Sequence, residues 1–415
     1  MRARCSSFAV PLTPRCRSVA LSATCLLLTV AGAGAEPFAY VTNKHSNSVS
    51  VIDTATSAVV TSVGVGESPS GVVVAPDGSF AYSVNAGDRS HSVSVIDTQT
   101  NSVVATVSVG NKPLGLAITP DVRFVYVANT GDNDVSVIDT ISRSVTATVH
   151  VDTGPSGVGT TPDGRFAYVA DSQNLQTPAR GKVTVIDTAS HTVVGTITVG
   201  NNPLGVAVTP DGQFVYVTNS NTLQVAGPGT VSVIDTASNT VIGTIPVGDN
   251  ALDVAITPDG RFAYVTNFSS NSVSIIDTAT RTVVGTVPVG TGPLGIAMRS
   301  DGRFAYVANR QSFSVVAQGT VSVIDTETRA VVATIPVGDN PTFVAVGPGS
   351  PPLCTGDCNG DLSVTVDELL LGVSIALGND EVTRCAAFDA NHDGAVTVSE
   401  LLAAINYALI GCPGP

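Results

Sequence analysis

From residue 36 to residue 349 the apolar positions fall in short runs of alternating or continuous Val, Ile, Ala and Tyr, broken every few residues by turn-forming polar triplets. Segments such as Gly205-Val206-Ala207-Val208, Phe214-Val215-Tyr216-Val217, Val231-Ser232-Val233-Ile234 and Thr240 to Ile245 each have the length and β-branched content of one strand. No stretch in this region has the 3.6-residue spacing of a helix. Thr-Pro-Asp-Gly joins the first two strands, with Pro presetting φ and Gly supplying φ > 0, and Asp-Thr-Ala-Ser/Thr turns the third into the fourth.

This four-strand unit recurs seven times. Its Tyr returns at Tyr40, Tyr82, Tyr126, Tyr168, Tyr216, Tyr264 and Tyr306, and its Ile-Asp-Thr triplet at Asp53, Asp97, Asp139, Asp187, Asp235, Asp277 and Asp325. The Asp-to-Asp periods are 44, 42, 48, 48, 42 and 48 residues. A four-stranded meander at that period is a propeller blade, so the region predicts an all-β, seven-bladed β-propeller. The array starts at a second strand, Phe38, and ends with an orphan first strand, Pro341 to Val346. Pairing the two ends completes blade one and leaves no free inner edge.

The segments Phe-Ala-Tyr-Val-Thr-Asn, Val-Ser-Val-Ile-Asp-Thr and Thr-Pro-Asp-Gly-Arg-Phe resemble the YVTN family of β-propeller repeats, common in surface-layer and exported proteins, and its lactonase-like relatives. The resemblance covers about three quarters of the chain and implies the fold. Its members include surface, binding and enzymatic proteins, so function must come from the site.

Features present in every repeat read as architecture: the seven Asp as turn closers, the seven Tyr as packing between blades. Sites are sought where the repeat breaks. In blades four, five and seven the Tyr-to-Ile spacing is 18 residues against 12 to 14 elsewhere, which enlarges three loops on one end of the ring, 173–181, 221–229 and 311–319. Leu175, Leu223 and Phe313 are apolar members of those loops. On the same face the rim glycine of Pro-x-Gly gives way to Asp253 and Phe343. These five residues form the candidate partner face, for an unknown protein or cell-surface partner. Catalysis has no comparable signal: the histidines His45, His91, His150 and His191 stand at non-equivalent positions and no acidic trio recurs on inner strands. A lactonase-like hydrolase or lyase stays an alternative, to be judged by whether acids or histidines converge on the channel.

Composition adds compartment. Arg2, Arg4, Arg15 and Arg17 precede the apolar stretch Val19 to Val30 and the small-residue site Ala33-Gly34-Ala35, so residues 1–35 predict a signal peptide and an exported chain (extracellular, cell surface or periplasm) with no membrane span. Only 13% of residues are charged while 43% are hydrophobic, which excludes disorder and coiled coil, and a net charge of -14 argues against a nucleic-acid partner. Four cysteines, Cys354, Cys358, Cys385 and Cys412, lie in the last 62 residues and predict two disulfides whose pairing the sequence leaves open.

Residues 350–415 change to helical spacing and hold two twelve-residue segments with the EF-hand ligand pattern. The first offers Asp357, Asn359, Asp361, the Ser363 carbonyl, Thr365 and Glu368; the second Asp389, Asn391, Asp393, the Ala395 carbonyl, Thr397 and Glu400. Oxygen donors at this spacing suit Ca²⁺, so two calcium sites are expected. Leu362 replaces the turn-forming Gly in the first, which should make that site the weaker. Helices are predicted over Asp367 to Leu377 and Ser399 to Leu409, with Val364 and Val396 linking the paired loops. The duplicated loop-helix unit is similar to a dockerin, and that resemblance implies a cohesin-like partner and membership of a polysaccharide-degrading assembly. Glu rather than Asp at position 12 and the lack of a Lys or Arg pair on a helix depart from that family, so calcium carries over and the cohesin partner remains an alternative.

Overall fold

The computed structural model describes residues 37–348 apart from 89, 173–179 and 221–226, and beyond them 358, 364–380, 384, 385, 388, 396, 401, 404, 405 and 408. The predicted signal peptide, 1–35, lies outside these residues. No described helix is long and apolar enough to cross a membrane.

Seven four-stranded antiparallel sheets form the seven-bladed propeller that the repeats predict. Blade one joins the chain's ends in the order Pro341–Val346, Phe38–Asn43, Ser48–Asp53, Ala58–Gly64. Across the join Ala39 pairs with Val346, Tyr40 with Ala345 and Val41 with Val344, and Thr42 Oγ1 lies 2.8 Å from Thr342 Oγ1. Each of the other blades is a meander running outward from the channel, as in blade two: Pro69–Val74, Phe80–Asn85, Ser92–Asp97, Ser102–Ser108.

The core consists of seven clusters, one between each pair of neighbouring blades. Tyr126, Val135 and Val137 of blade three pack on Ala167, Val169 and Ile186 of blade four, and Tyr306 and Val321 of blade seven pack on Ala39 and Val41 of blade one. The seven tyrosines are therefore packing residues, and several hydroxyls reach the outer turn of the next blade: Tyr168 donates to Asn239 Oδ1 at 3.0 Å, and Tyr126 pairs with His191 Nδ1 at 2.8 Å. The repeated Asp closes the third turn everywhere, as when Asp139 Oδ1 accepts from Ser142 N and Asp235 Oδ1 from Ser238 N, both at 2.8 Å. These hydrogen bonds hold both carboxyls below the usual range.

In blades four, five and seven part of the enlarged loops is strand, a correction to their reading as loops alone. The third strands Arg180–Asp187, Pro228–Asp235 and Gln318–Asp325 have 8 residues and the fourth strands 10, against 6 and 7 in blade two. The insertion therefore lengthens the two outer strands of these blades.

In the C-terminal region a helix spans Val366–Ala376, one residue earlier than predicted at each end, because Thr365 caps it and Glu368 completes a capping box. It buries Glu368, Gly372 and Ile375, while Val366, Leu370, Val373 and Leu377 stay exposed. Val364 and Val396 share one buried cluster with Ile375, Phe388 and Ala404. A disulfide joins Cys358 to Cys385. Cys354 and Cys412 lie outside the described residues, as does most of the predicted second helix.

Candidate functional site

The innermost strands approach so closely that five of their seven rim positions need glycine. A Cβ on Gly71 would stand 2.6 Å from the Leu114 carbonyl oxygen of the next blade, and one on Gly295 would stand 2.8 Å from that of Thr342. In all seven blades the register slips at this point, between Pro69 and Val72 in blade two, so the bulge turns the rim into the channel mouth. The two departures, Asp253 and Phe343, line one cavity of about 320 Å³ at that mouth, together with Phe313 from the enlarged loop of blade seven. Three of the five predicted face residues are thus brought together. Leu175 and Leu223 lie outside the described residues.

Asp253 also has a structural task. Its Oδ1 accepts from Val254 N at 2.9 Å and its Oδ2 from Ile296 N of the next blade at 3.0 Å, which ties blade six to blade seven where the rim lacks its glycine. Burial nevertheless pushes its carboxyl up to about 6, against the lowering effect of those two hydrogen bonds.

Two more residues at this mouth went unremarked in the sequence, although the repeat displays them. The position after the strand-ending Asn or Asp reads Lys44, Ala86, Thr130, Ser172, Ser220, Phe268 and Arg310 around the ring. Four blades carry a small residue there; blades six, seven and one carry Phe, Arg and Lys. Arg310 is 4% exposed. Its guanidinium lies over the Phe313 ring at 4.6 Å, and Phe313 in turn stacks on Phe268 with centroids 4.6 Å apart. Arg310 Nε donates to the Ser312 carbonyl at 3.3 Å. Burial lowers its pKa to about 10. Lys44 lines the same cavity, and its ammonium is pulled below its ordinary value by burial first and by the charge of Arg310 second. Neither cation meets a carboxylate among the described residues. The departures Asp253, Phe268, Arg310, Phe313, Lys44 and Phe343 all belong to blades six, seven and one, so one side of the mouth is distinct from the rest. Asp253 is the one acid lining the cavity, and no described histidine lines it.

Of the calcium candidates, Thr365 and Glu368 are described. The Glu368 carboxylate is buried and turned back on its loop: Oε1 accepts from Cys358 N at 2.9 Å, and Oε2 from Thr365 N and Thr365 Oγ1, each at 2.8 Å. Asp357, Asn359, Asp361, Ser363, Asp389, Asn391, Asp393, Ala395, Thr397 and Glu400 lie outside the described residues, and among the described residues no group of three His, Cys, Asp or Glu could hold a metal.

Comparison with known proteins agrees with the architecture. Residues 116–213 match the YNCE-like beta-propeller family. The chain is similar to a structure titled Kuenenia stuttgartiensis Hydrazine Synthase, with 28% identity over 69% of this chain and 92% of that one and a TM-score of 0.61. A functionally unknown protein from Desulfotomaculum acetoxidans has the same fold, with 16% identity over 75% of this chain and 99% of that one and a TM-score of 0.62. No curated protein matches. Residues 37–144 and 228–346, more than half the chain, match the family described as Lactonase, 7-bladed beta-propeller, and the chain belongs to that family.

Proposed function

We propose that the chain is an exported binding propeller that takes a ligand at the channel mouth of blades six, seven and one, and that its C-terminal module holds calcium. The observation that carries the reading is the convergence of the ring's rule-breaking residues, Asp253, Phe313 and Phe343, on a single cavity. About 320 Å³ falls at the small end of the range for small-molecule sites. Binding is favoured over hydrolysis because the one lining carboxylate already accepts two backbone N–H groups. In the module, Glu368 fits the last ligand position, since its two oxygens reach the two ends of the segment that carries the first ligand pattern. Calcium there would staple the loop to the helix by charge neutralisation, with the second loop binding more tightly than the first.

The test is a thermal-shift panel of neutral sugars, amines and carboxylates on the full chain and on the double variant Phe313→Ser, Phe343→Gly. Gly is the residue five other blades carry at the rim, so the ring should tolerate it. A ligand class that raises the midpoint of the parent chain and loses that effect in the variant is expected. A panel in which every shift is the same in both chains would defeat the reading.

A further inference from the structure

The chemistry of the ligand can be taken further, on the reading that the channel mouth is a binding site. We infer that this mouth recognises a small organic carboxylate with an apolar body, its charged end held by Arg310 and Lys44 and its apolar end resting on Phe343 and the leucines of the inner strands.

Two cations at the equivalent repeat position of adjacent blades repel each other, and both are drawn out of water. Elsewhere in the ring this position is filled by Ala, Thr, Ser or Phe, so the fold itself requires no charge there. Buried charges ordinarily meet a partner, yet neither the buried Arg310 nor the half-buried Lys44 meets a carboxylate among the described residues, and of the guanidinium nitrogens only Nε has a described acceptor. The Arg310 plane is held against Phe313, which is itself braced by Phe268. A guanidinium fixed in this way presents a planar fork that matches two oxygens of one anion. Below the cations the cavity wall is aliphatic, with Leu114, Leu116, Leu204, Leu252, Leu294 and Ile296 contributed by the inner strands. An inorganic anion would leave that wall unused, and a neutral apolar molecule would leave the cations unpaired. A carboxylate on an aromatic or aliphatic body satisfies both.

The experiment is calorimetric titration of the full chain with 4-phenylbutyrate, octanoate, inorganic phosphate and 4-phenylbutyramide, at low ionic strength. Both carboxylates should bind, and the amide about tenfold more weakly or worse, because it has the same body without the charge. Arg310→Ser and Lys44→Thr install residues that other blades already carry at this position, so the ring should keep its thermal midpoint. Each should weaken 4-phenylbutyrate about tenfold, and the double variant more. Lys44→Thr and the amide comparison keep the test decisive should Arg310→Ser fold poorly. The inference is overturned if acid and amide bind alike, if phosphate binds as tightly as the carboxylates, if the variants retain full affinity, or if no carboxylate binds at about 10 mM. Neutral ligands that bind and are lost in Phe313→Ser, Phe343→Gly would leave the channel-mouth reading standing while this inference falls.

Discussion

Asp171 is the residue whose neighbours most resist it. Six blades end their second strand with Asn, whose amide donates to hydroxyls on the third strand, as Asn43 Nδ2 does to Ser50 Oγ at 2.9 Å. Blade four has Asp in that place, fully buried, with Oδ2 accepting from Thr184 Oγ1 at 2.6 Å. Burial first, and then repulsion from Asp152, push its carboxyl up to about 7, with Lys182 opposing. Between the ordinary value of 3.8 and about 7 the unfolded chain gives up this proton while the folded chain keeps it, so stability falls as pH rises across that window. Above it the loss is on the order of a few kcal/mol. Asp171→Asn should remove this slope, leaving thermal midpoints similar at about pH 3.5 and increasingly higher than the parent's as the pH rises to about 8. Parallel profiles for the two chains would contradict this. The substitution is plain in the repeat, but its burial is not, because a strand-ending Asp in a single sequence reads equally well as a turn residue.

At the scale of elements the sequence spoke most clearly where geometry leaves one choice. The rim glycines, the Thr-Pro-Asp-Gly turns and the turn-closing Asp could be assigned because each depends on backbone conformation or a local hydrogen bond. Val122 shows the limit: it stands at φ +61 in the turn position where other blades carry glycine, a strain that no pattern of hydrophobicity reveals. The lengthened hairpins were legible as insertions but not as strand, since Gly-Lys182 and Val199-Gly-Asn201 lack the alternation that marks one. In the module the same reasoning yields a prediction. Leu362 occupies the position where an EF-hand loop turns sharply, and a side chain at φ > 0 costs about 1 kcal/mol or more. On the proposal that both loops bind calcium, Leu362→Gly should tighten the weaker of two sites roughly fivefold or more in a calcium titration of the full chain and leave the other alone. Two equal sites in the parent, or no change in the variant, would refute it.

For the whole molecule the decisive contact is the one that crosses the longest stretch of chain. Pro341–Val346 is the inner strand of blade one, and without it Phe38–Asn43 would present an unpaired edge to the channel while Val41 and the Thr42 hydroxyl lost their partners. The cation pair would suffer as well, since Lys44 N donates to the Asn340 carbonyl at 3.1 Å and Phe343 belongs to the missing strand. Ring closure therefore also fixes the backbone that carries Lys44 and Phe343 at the channel mouth. Nothing in a single blade's sequence announces this; it follows from counting strands around the ring. Two truncations separate the contributions. A chain ending at residue 348 keeps every propeller strand and should unfold cooperatively near the parent's main transition. A chain ending at Asn340 loses the closing strand and should drop by several kcal/mol, roughly 10 °C in midpoint, or fail to fold cooperatively. Equal midpoints for the two would mean that the remaining six complete blades hold the ring without the seam, and the role given to strand pairing there would have to be abandoned.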